Sequence, residues 1–272
     1  MTSRIARWLI VAVMTGSFVS DAQQTNQAAT PDPMPVAIKK PEEIKLKHPS
    51  FTFVRIKYSA AAPGRFGSIW ATDYPEADLN FTRQFQNVTG LKCDTNGMVL
   101  DLTDPKLKQQ PFIYIAEGGH MHLSDKEVKS LRDYLSEGGF LMVDDFWGET
   151  EWESLVGELR RVFPEREPID LPLSHEVFRC FYEIRKRPQV PNVMLGIQSQ
   201  FTGVTWERKD AKEPHYRGLM NDTGRLMVLL CHNTDLGDGW ERAGENEYYY
   251  REFSLKKAYP MGINSVVYAL SH

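Results

Sequence analysis

One uninterrupted stretch, Leu123 to Asp145, "LSDKEVKSLRDYLSEGGFLMVDD", constrains the fold more than any other feature of this chain. Ser124 followed three residues later by Glu127 is a capping box, which satisfies the free amides at the start of a helix. Val128, Leu131 and Leu135 then form a single apolar stripe, and Gly138-Gly139 supply a left-handed stop. Phe140 to Val143 are apolar without alternation, as expected for a strand covered on both faces. A helix feeding directly into such a strand is half of a parallel crossover unit.

The neighbouring segments extend the pattern. "FTFVRIKY" (Phe51 to Tyr58) alternates as a strand, and "YPEADLNFTRQFQNVTG" spaces Leu79, Phe81, Phe85 and Val88 as a helix ending at Gly90. "GMVLDL" (Gly97 to Leu102) and "PFIYIAEGG" (Pro111 to Gly119) read as strands, and Thr150 with Glu153 makes a second capping box before a helix running to Pro164. The order predicts an α/β domain with a mostly parallel sheet. The second half is richer in β-structure, with "FTGVTWERK" and "RLMVLLCHN" read as strands and "NDTG" (Asn221 to Gly224) as the turn before the latter. The closing "SLKKAYPMGINSVVYALSH" reads as a helix interrupted near Pro260.

The N-terminus places Arg4 and Arg7 before "LIVAVMTGSFVS", with Ser20 and Ala22 beyond it. This is the pattern of a secretory signal over residues 1–22, the alternative being an uncleaved anchor. Export, to the periplasm or the extracellular space, is the expectation, with no transmembrane helix in the mature chain. Residues 23–50, rich in Pro, Ala, Gln and Lys, read as a linker, and residues 51–272 as one domain. Cys93, Cys180 and Cys231 show no metal-ligand spacing and read as small hydrophobes, although export permits one disulfide. A net charge of −4 provides no basic field, so nucleic acid is an unfavourable partner.

Candidate functional groups fall where an open α/β sheet places its ligands, beyond the carboxyl ends of the strands. They are Asp73, then Glu117, His120 and His122, then Asp144, Asp145 and Trp147. Two imidazoles with two or three carboxylates suffice for Zn²⁺ or Mn²⁺ with an open position for water, with His120, His122 and Asp145 as ligands. Adjacent aspartates on an extended strand face opposite ways, so only one of Asp144 and Asp145 is expected to reach such a site. The competing reading makes Asp145 a cap for backbone amides and the two histidines a solvated loop.

No G-x-S-x-G or cysteine elbow occurs, and Glu117 stands where an elbow nucleophile would lie. A carboxylate there can serve as base or ligand. Phosphate-binding glycine motifs are also absent. "HNTDLGDGWE" (His232 to Glu241) crowds Asp235 and Asp238 among glycines without matching an EF-hand, and reads as a turn-rich loop near the same sheet edge. Three tyrosines in "EYYYRE" and Trp147, Trp152 and Trp240 are either ligand-stacking groups or core wedges.

"WATDYPEADLNF", the Leu123–Gly148 stretch with "GGFLMVDDFWG", "HNTDLGDGWE" and "MGINSVVYAL" together resemble the bacterial family known as domain of unknown function 4159, over essentially residues 51–272. The resemblance implies a class I glutamine amidotransferase-like, flavodoxin-like three-layer α/β/α sandwich. Asp73, Asp144, Asp145 and Trp147 match the family pattern, whereas His120-Met121-His122 departs from its glycine-rich loop. The resemblance brings no characterised reaction with it. Two functions follow as expectations: a non-catalytic module of the cell envelope that binds a protein, small ligand or glycan, or a carboxylate- or metal-dependent hydrolase of a glycan or amide. Convergence of Asp73, Glu117 and one of Asp144 or Asp145 discriminates between them.

Overall fold

The computed structural model describes residues 34–60 and 68–272, so the expected signal lies outside the described residues. Among the described residues, nine strands and seven α-helices follow in chain order. The strands are β1 (Val36–Ala37), β2 (Ser50–Lys57), β3 (Lys92–Asp101), β4 (Phe112–Ala116), β5 (Phe140–Phe146), β6 (Ile169–Asp170), β7 (Tyr182–Glu183), β8 (His215–Met220) and β9 (Leu226–His232). The helices are α1 (Glu76–Thr89), α2 (Asp125–Ser136), α3 (Gly148–Val162), α4 (Val193–Thr202), α5 (Leu236–Glu241), α6 (Glu247–Tyr249) and α7 (Tyr259–Ser271), with a π-helical segment, Tyr250–Ala258, leading into α7.

The main sheet runs β3-β2-β4-β5-β9-β8-β6. Its first five strands are parallel, and β8 and β6 add antiparallel pairs at one edge. Taken in chain order, the parallel strands follow the flavodoxin-like 2-1-3-4-5 pattern, which reverses direction between β2 and β4. Side-chain alternation divides the core into two layers. Phe51 and Phe53, Phe112 and Tyr114, and Phe140 and Met142 pack with Phe81, Trp240 and Ile263 on one face. Val54 and Ile56, Ile113 and Ile115, and Leu141 and Val143 pack with Leu131, Leu135, Leu155 and Leu159 on the other. Helices α1, α5 and α7 thus cover one face and α2 and α3 the other, as expected for a three-layer sandwich.

Three local expectations are revised. The Thr150–Glu153 box does not start α3, which begins at Gly148 with Trp147 before it. "FTGVTWERK" is not a strand: α4 runs through Thr202, capped by the Asn192 side chain accepting from the Leu195 amide and ended by left-handed Gly203. The unanticipated antiparallel strand is β8, and the "HNTDLGDGWE" loop contains helix α5. Within the segment expected as linker, Val36–Ala37 pairs with Tyr182–Glu183, and the Lys47 amide donates to the Leu270 carbonyl. Cys93, Cys180 and Cys231 are free thiols. No helix among the described residues is long and apolar enough to cross a membrane.

One buried ion pair anchors the segment that carries Asp73. Arg55, fully buried on β2, reaches Asp78 on α1, with Nη2 2.6 Å from Oδ1 and Nε 3.1 Å from both carboxylate oxygens. Its Nη1 donates to the Trp70 and Thr72 carbonyls at 3.1 and 2.8 Å. The guanidinium therefore fixes the turn just before Asp73. Asp78→Ala leaves that charge buried without its partner and should cost about 3–5 kcal/mol of stability. Chemical denaturation of Asp78→Ala beside the Arg55→Met/Asp78→Leu double variant measures this; equal losses in both would refute the buried-charge argument.

Candidate active site

Four non-glycine residues among those described have left-handed backbones, Asp73, Glu117, Asp145 and Asn233, with φ between 54° and 63°. All four lie at the carboxyl end of the sheet, around the ends of β2, β4, β5 and β9. Left-handed geometry is costly away from glycine, and its concentration at one edge marks a site where geometry has been held against local preference.

Glu117 is the elbow. It sits directly after β4 with φ 54° and ψ 40°, and a 3-10 turn, Gly118–His120, follows it. A Cβ on Gly119 would collide with the side chain of Glu151, so the turn needs glycine there. The Tyr58 hydroxyl lies 2.9 and 2.8 Å from the Ala116 and Glu117 carbonyl oxygens and pins the elbow to the neighbouring strand. Burial, reinforced by Glu151 and Glu207 and opposed by Arg208, pushes the Glu117 carboxyl up to about 7. His120 Nε2 is 3.5 Å from Glu117 Oε2 and 3.5 Å from Glu151 Oε1, while Glu151 also pairs with Arg208.

The expected pair of histidines does not form. His122 is exposed, and its Nδ1 lies 3.2 Å from Glu158, whereas His120 alone joins Glu117 and Glu151 in a group whose ligand atoms lie within 4.8 Å of one another. Two further groups of this size contain only carboxylates: Asp73, Asp145 and Asp235, and Asp73, Asp238 and Glu241. Asp73 belongs to both.

Of Asp144 and Asp145, only Asp145 joins one of these groups, as expected for one of the pair, and Asp144 lies beside them. The left-handed turn at Asp145 breaks the strand register between Val143 and Phe146 and redirects its side chain. Asp145 Oδ1 accepts from Trp147 Nε1 at 3.1 Å. Asp144 is fully buried, and its Oδ2 accepts from the Tyr114 hydroxyl at 3.1 Å and the Gly237 amide at 3.0 Å. Its Oδ1 is buried without a hydrogen-bond partner, as is Asp73 Oδ2. A Cβ on Gly237 would collide with Asp73 Oδ2, so glycine is what lets α5 come this close.

Trp147, expected to contact ligand, is instead buried and acts on the site through others. Its amide donates to Glu151 Oε2 at 2.7 Å, and its ring donates to Asp145. Asp235 caps α5 by accepting from the Asp238 amide at 2.7 Å, and Asp238 Oδ2 accepts from the Val193 amide at 2.6 Å.

Burial is the first cause of every carboxyl shift here, with repulsion between carboxylates adding to it except at Asp144, where hydrogen bonds from Gly237 and Tyr114 oppose it. Asp73, Asp145 and Asp235 are held well above the usual carboxylate range. Asp144 and Glu241 are each pushed up to about 7. A set of buried carboxyls that cannot all ionise together favours a multivalent cation, whose charge reverses the balance. All-oxygen groups suit Mn²⁺, Mg²⁺ or Ca²⁺ better than Zn²⁺.

Sequence reasoning missed Arg55, Glu151, Glu207, Arg208 and Glu241. Two had a visible signal. Arg55 occupies the same alternation phase as Phe51 and Phe53, which puts a charge in the core. Asp235, Asp238 and Glu241 recur every three residues, which is helical spacing.

The fold and site together define an α/β protein whose buried carboxylates meet at the working edge of a parallel sheet. The profile of the family described as "Domain of unknown function (DUF4159)" matches residues 52–270, and the chain belongs to that family. No curated protein matches the chain.

Proposed function

We propose that this protein is a divalent-cation-dependent hydrolase acting on an amide or a glycan. The observation that carries the reading is the pair of carboxylate groups sharing Asp73, whose Oδ2 is buried and without a hydrogen-bond partner. A carboxylate common to two such groups could serve two cations, as two-metal hydrolytic chemistry would require. Asp145 and Asp235 would hold one cation, Asp238 and Glu241 the other.

Cations held by these residues would supply Lewis acidity toward a water and the substrate. Glu117, on its own elbow beside the cluster, takes a proton from the water as its oxygen bonds to the electrophilic carbon. It then returns the proton to the departing amine or alcohol. A carboxyl near about 7 is suited to both transfers. The strand order and the elbow, with glutamate where the cysteine would stand, support reading the fold as class I glutamine amidotransferase-like. Arg4, Arg7 and the apolar run after them support an exported protein.

A non-catalytic binding module is the second reading, favoured by the lack of any serine or cysteine at the elbow. Metal analysis after dialysis against Mn²⁺, with turnover measured on amide and glycoside panels, separates the two. Bound cation that Asp73→Asn loses, together with turnover, supports the hydrolase. A wild type that binds no cation ends it, and one that binds cation but turns over neither panel favours the binding module.

A further inference from the structure

Beside the all-carboxylate groups lies a third group with a different chemistry. Glu117, His120 and Glu151 offer two carboxylate oxygens and one imidazole nitrogen within 4.8 Å of one another. His120 Nε2 stands 3.5 Å from Glu117 Oε2 and 3.5 Å from Glu151 Oε1. Both separations exceed a hydrogen bond between imidazole and carboxylate, which closes to about 2.7–3.2 Å. They match another geometry. Two ligands of a tetrahedral ion, each at about 2.0–2.2 Å from it, lie roughly 3.3–3.6 Å apart, the spacing found at both contacts.

Backbone and neighbours hold the three side chains together before any ion arrives. Glu117 leaves β4 through its left-handed turn, and the 3-10 turn Gly118–His120 brings the imidazole to Glu151. That approach depends on Gly119, where a Cβ would stand 2.4 Å from the Glu151 Cβ. Glu151 is buried in the first turns of α3, and its Oε2 accepts from the Trp147 amide at 2.7 Å. Oε1 is thereby the oxygen left to face His120. Outer hydrogen bonds of this kind are what orient a ligand carboxylate. Arg208 also pairs with Oε1, and so supplies a positive charge between carboxylates that would otherwise repel. Its side chain is 47% exposed and has room to turn to solvent when an ion takes its place. His122, two residues on, is engaged by Glu158 and takes no part.

The ligand set decides the ion. One imidazole with two carboxylates and an open fourth position suits Zn²⁺, whereas the oxygen-only groups around Asp73 suit harder cations. Glu117 is also the proton carrier of the hydrolase reading. An ion held on its carboxylate occupies the lone pair that would accept the proton of water.

We propose that Glu117, His120 and Glu151 form a zinc site that, when filled, turns off the neighbouring carboxylate centre. The binding stands on these three residues alone, and only the inhibition rests on the hydrolase reading. The test is calorimetric titration of metal-stripped, full-length Asp73→Asn with ZnCl₂, since this variant lacks the carboxylate shared by the other two groups. It should take up one zinc per chain. Adding His120→Gln, at an exposed side chain, should weaken that binding by more than about 100-fold, because loss of an outer partner alone costs about 10–100-fold. The melting temperature of the metal-free protein should not change. No zinc on Asp73→Asn, or undiminished zinc in the double variant, would overturn the site. In wild type kept in excess Mn²⁺, zinc should suppress turnover on the amide or glycoside panel, and the turnover that His120→Gln retains should not respond to zinc. Zinc that binds without suppressing turnover overturns the switch. Zinc bound by a chain that turns over neither panel upholds the site and counts against the hydrolase reading instead.

Discussion

Cation-free protein should melt at a lower temperature at about pH 8.5 than at about pH 6, by roughly 10 °C, and Mn²⁺ should restore it. The carboxyls of Glu117, Asp144 and Glu241 are raised to about 7, and those of Asp73, Asp145 and Asp235 stand well above their usual value of 3.8. Between the unfolded values and about 7 the folded chain therefore holds protons that the unfolded chain has released. Stability is full below the unfolded values and is lost as pH rises through about 7 and beyond. Buried His232, lowered to about 4, contributes the opposite slope, but that slope ends near its ordinary value of 6.5. Exposed acids with lowered values, such as Asp133 and Glu165, form surface pairs of little weight.

Asp73→Asn extends the test. Asparagine tolerates the left-handed backbone at this position and removes one charge from the cluster. At about pH 8.5 the cation-free variant should equal or exceed wild type in stability, yet gain nothing from Mn²⁺. A flat pH profile for wild type, or Mn²⁺ stabilising both chains alike, would rule out a cation site built on Asp73.

Glu117→Gln should lower turnover by about 10²–10⁴-fold while leaving bound cation in place. Glu117 is in neither of the all-carboxylate groups, so its loss removes a proton carrier rather than a ligand of those groups. As a base it must be ionised, so wild-type activity should rise with pH through the Glu117 titration. The Glu117 carboxyl stands at about 7 in the cation-free chain, so the limb should lie lower when cations bind nearby. The limb should vanish from the residual activity of Glu117→Gln. Unchanged turnover, or the same limb in both proteins, would remove Glu117 from the chemistry. Loss of cation together with turnover would make it a ligand instead.

Particular residues show how much was legible beforehand. The capping box at Ser124, the Val128–Leu131–Leu135 stripe and the continuous Phe140–Val143 strand all appear as read, because each is a local pattern with a local cause. Asp73, Glu117, Asp144 and Asp145 were found by the rule that parallel sheets work at their carboxyl ends, and the structure brings them to one edge. Trp147 and His122 were assigned functions they do not have in this geometry. An isolated sequence does not show whether an indole is covered or which way a loop imidazole turns. Helix α5 looked like a loop because Gly237 and Gly239 are poor helix formers. Their value is close approach, Gly237 to Asp73 and Gly239 to Ala258, and neither partner is near in sequence.

By itself, the sequence determined the class of fold, the layer order and the sheet edge at which the acidic residues gather. Those follow from hydrophobic periodicity and chain-direction rules that act over a few residues. Only the tertiary structure decided that Asp145 rather than Asp144 joins the cluster and that Asp73 joins two groups of carboxylates. Each depends on backbone turns at single residues and on contacts between segments far apart in the chain, where burial sets the protonation and the distance sets the chemistry.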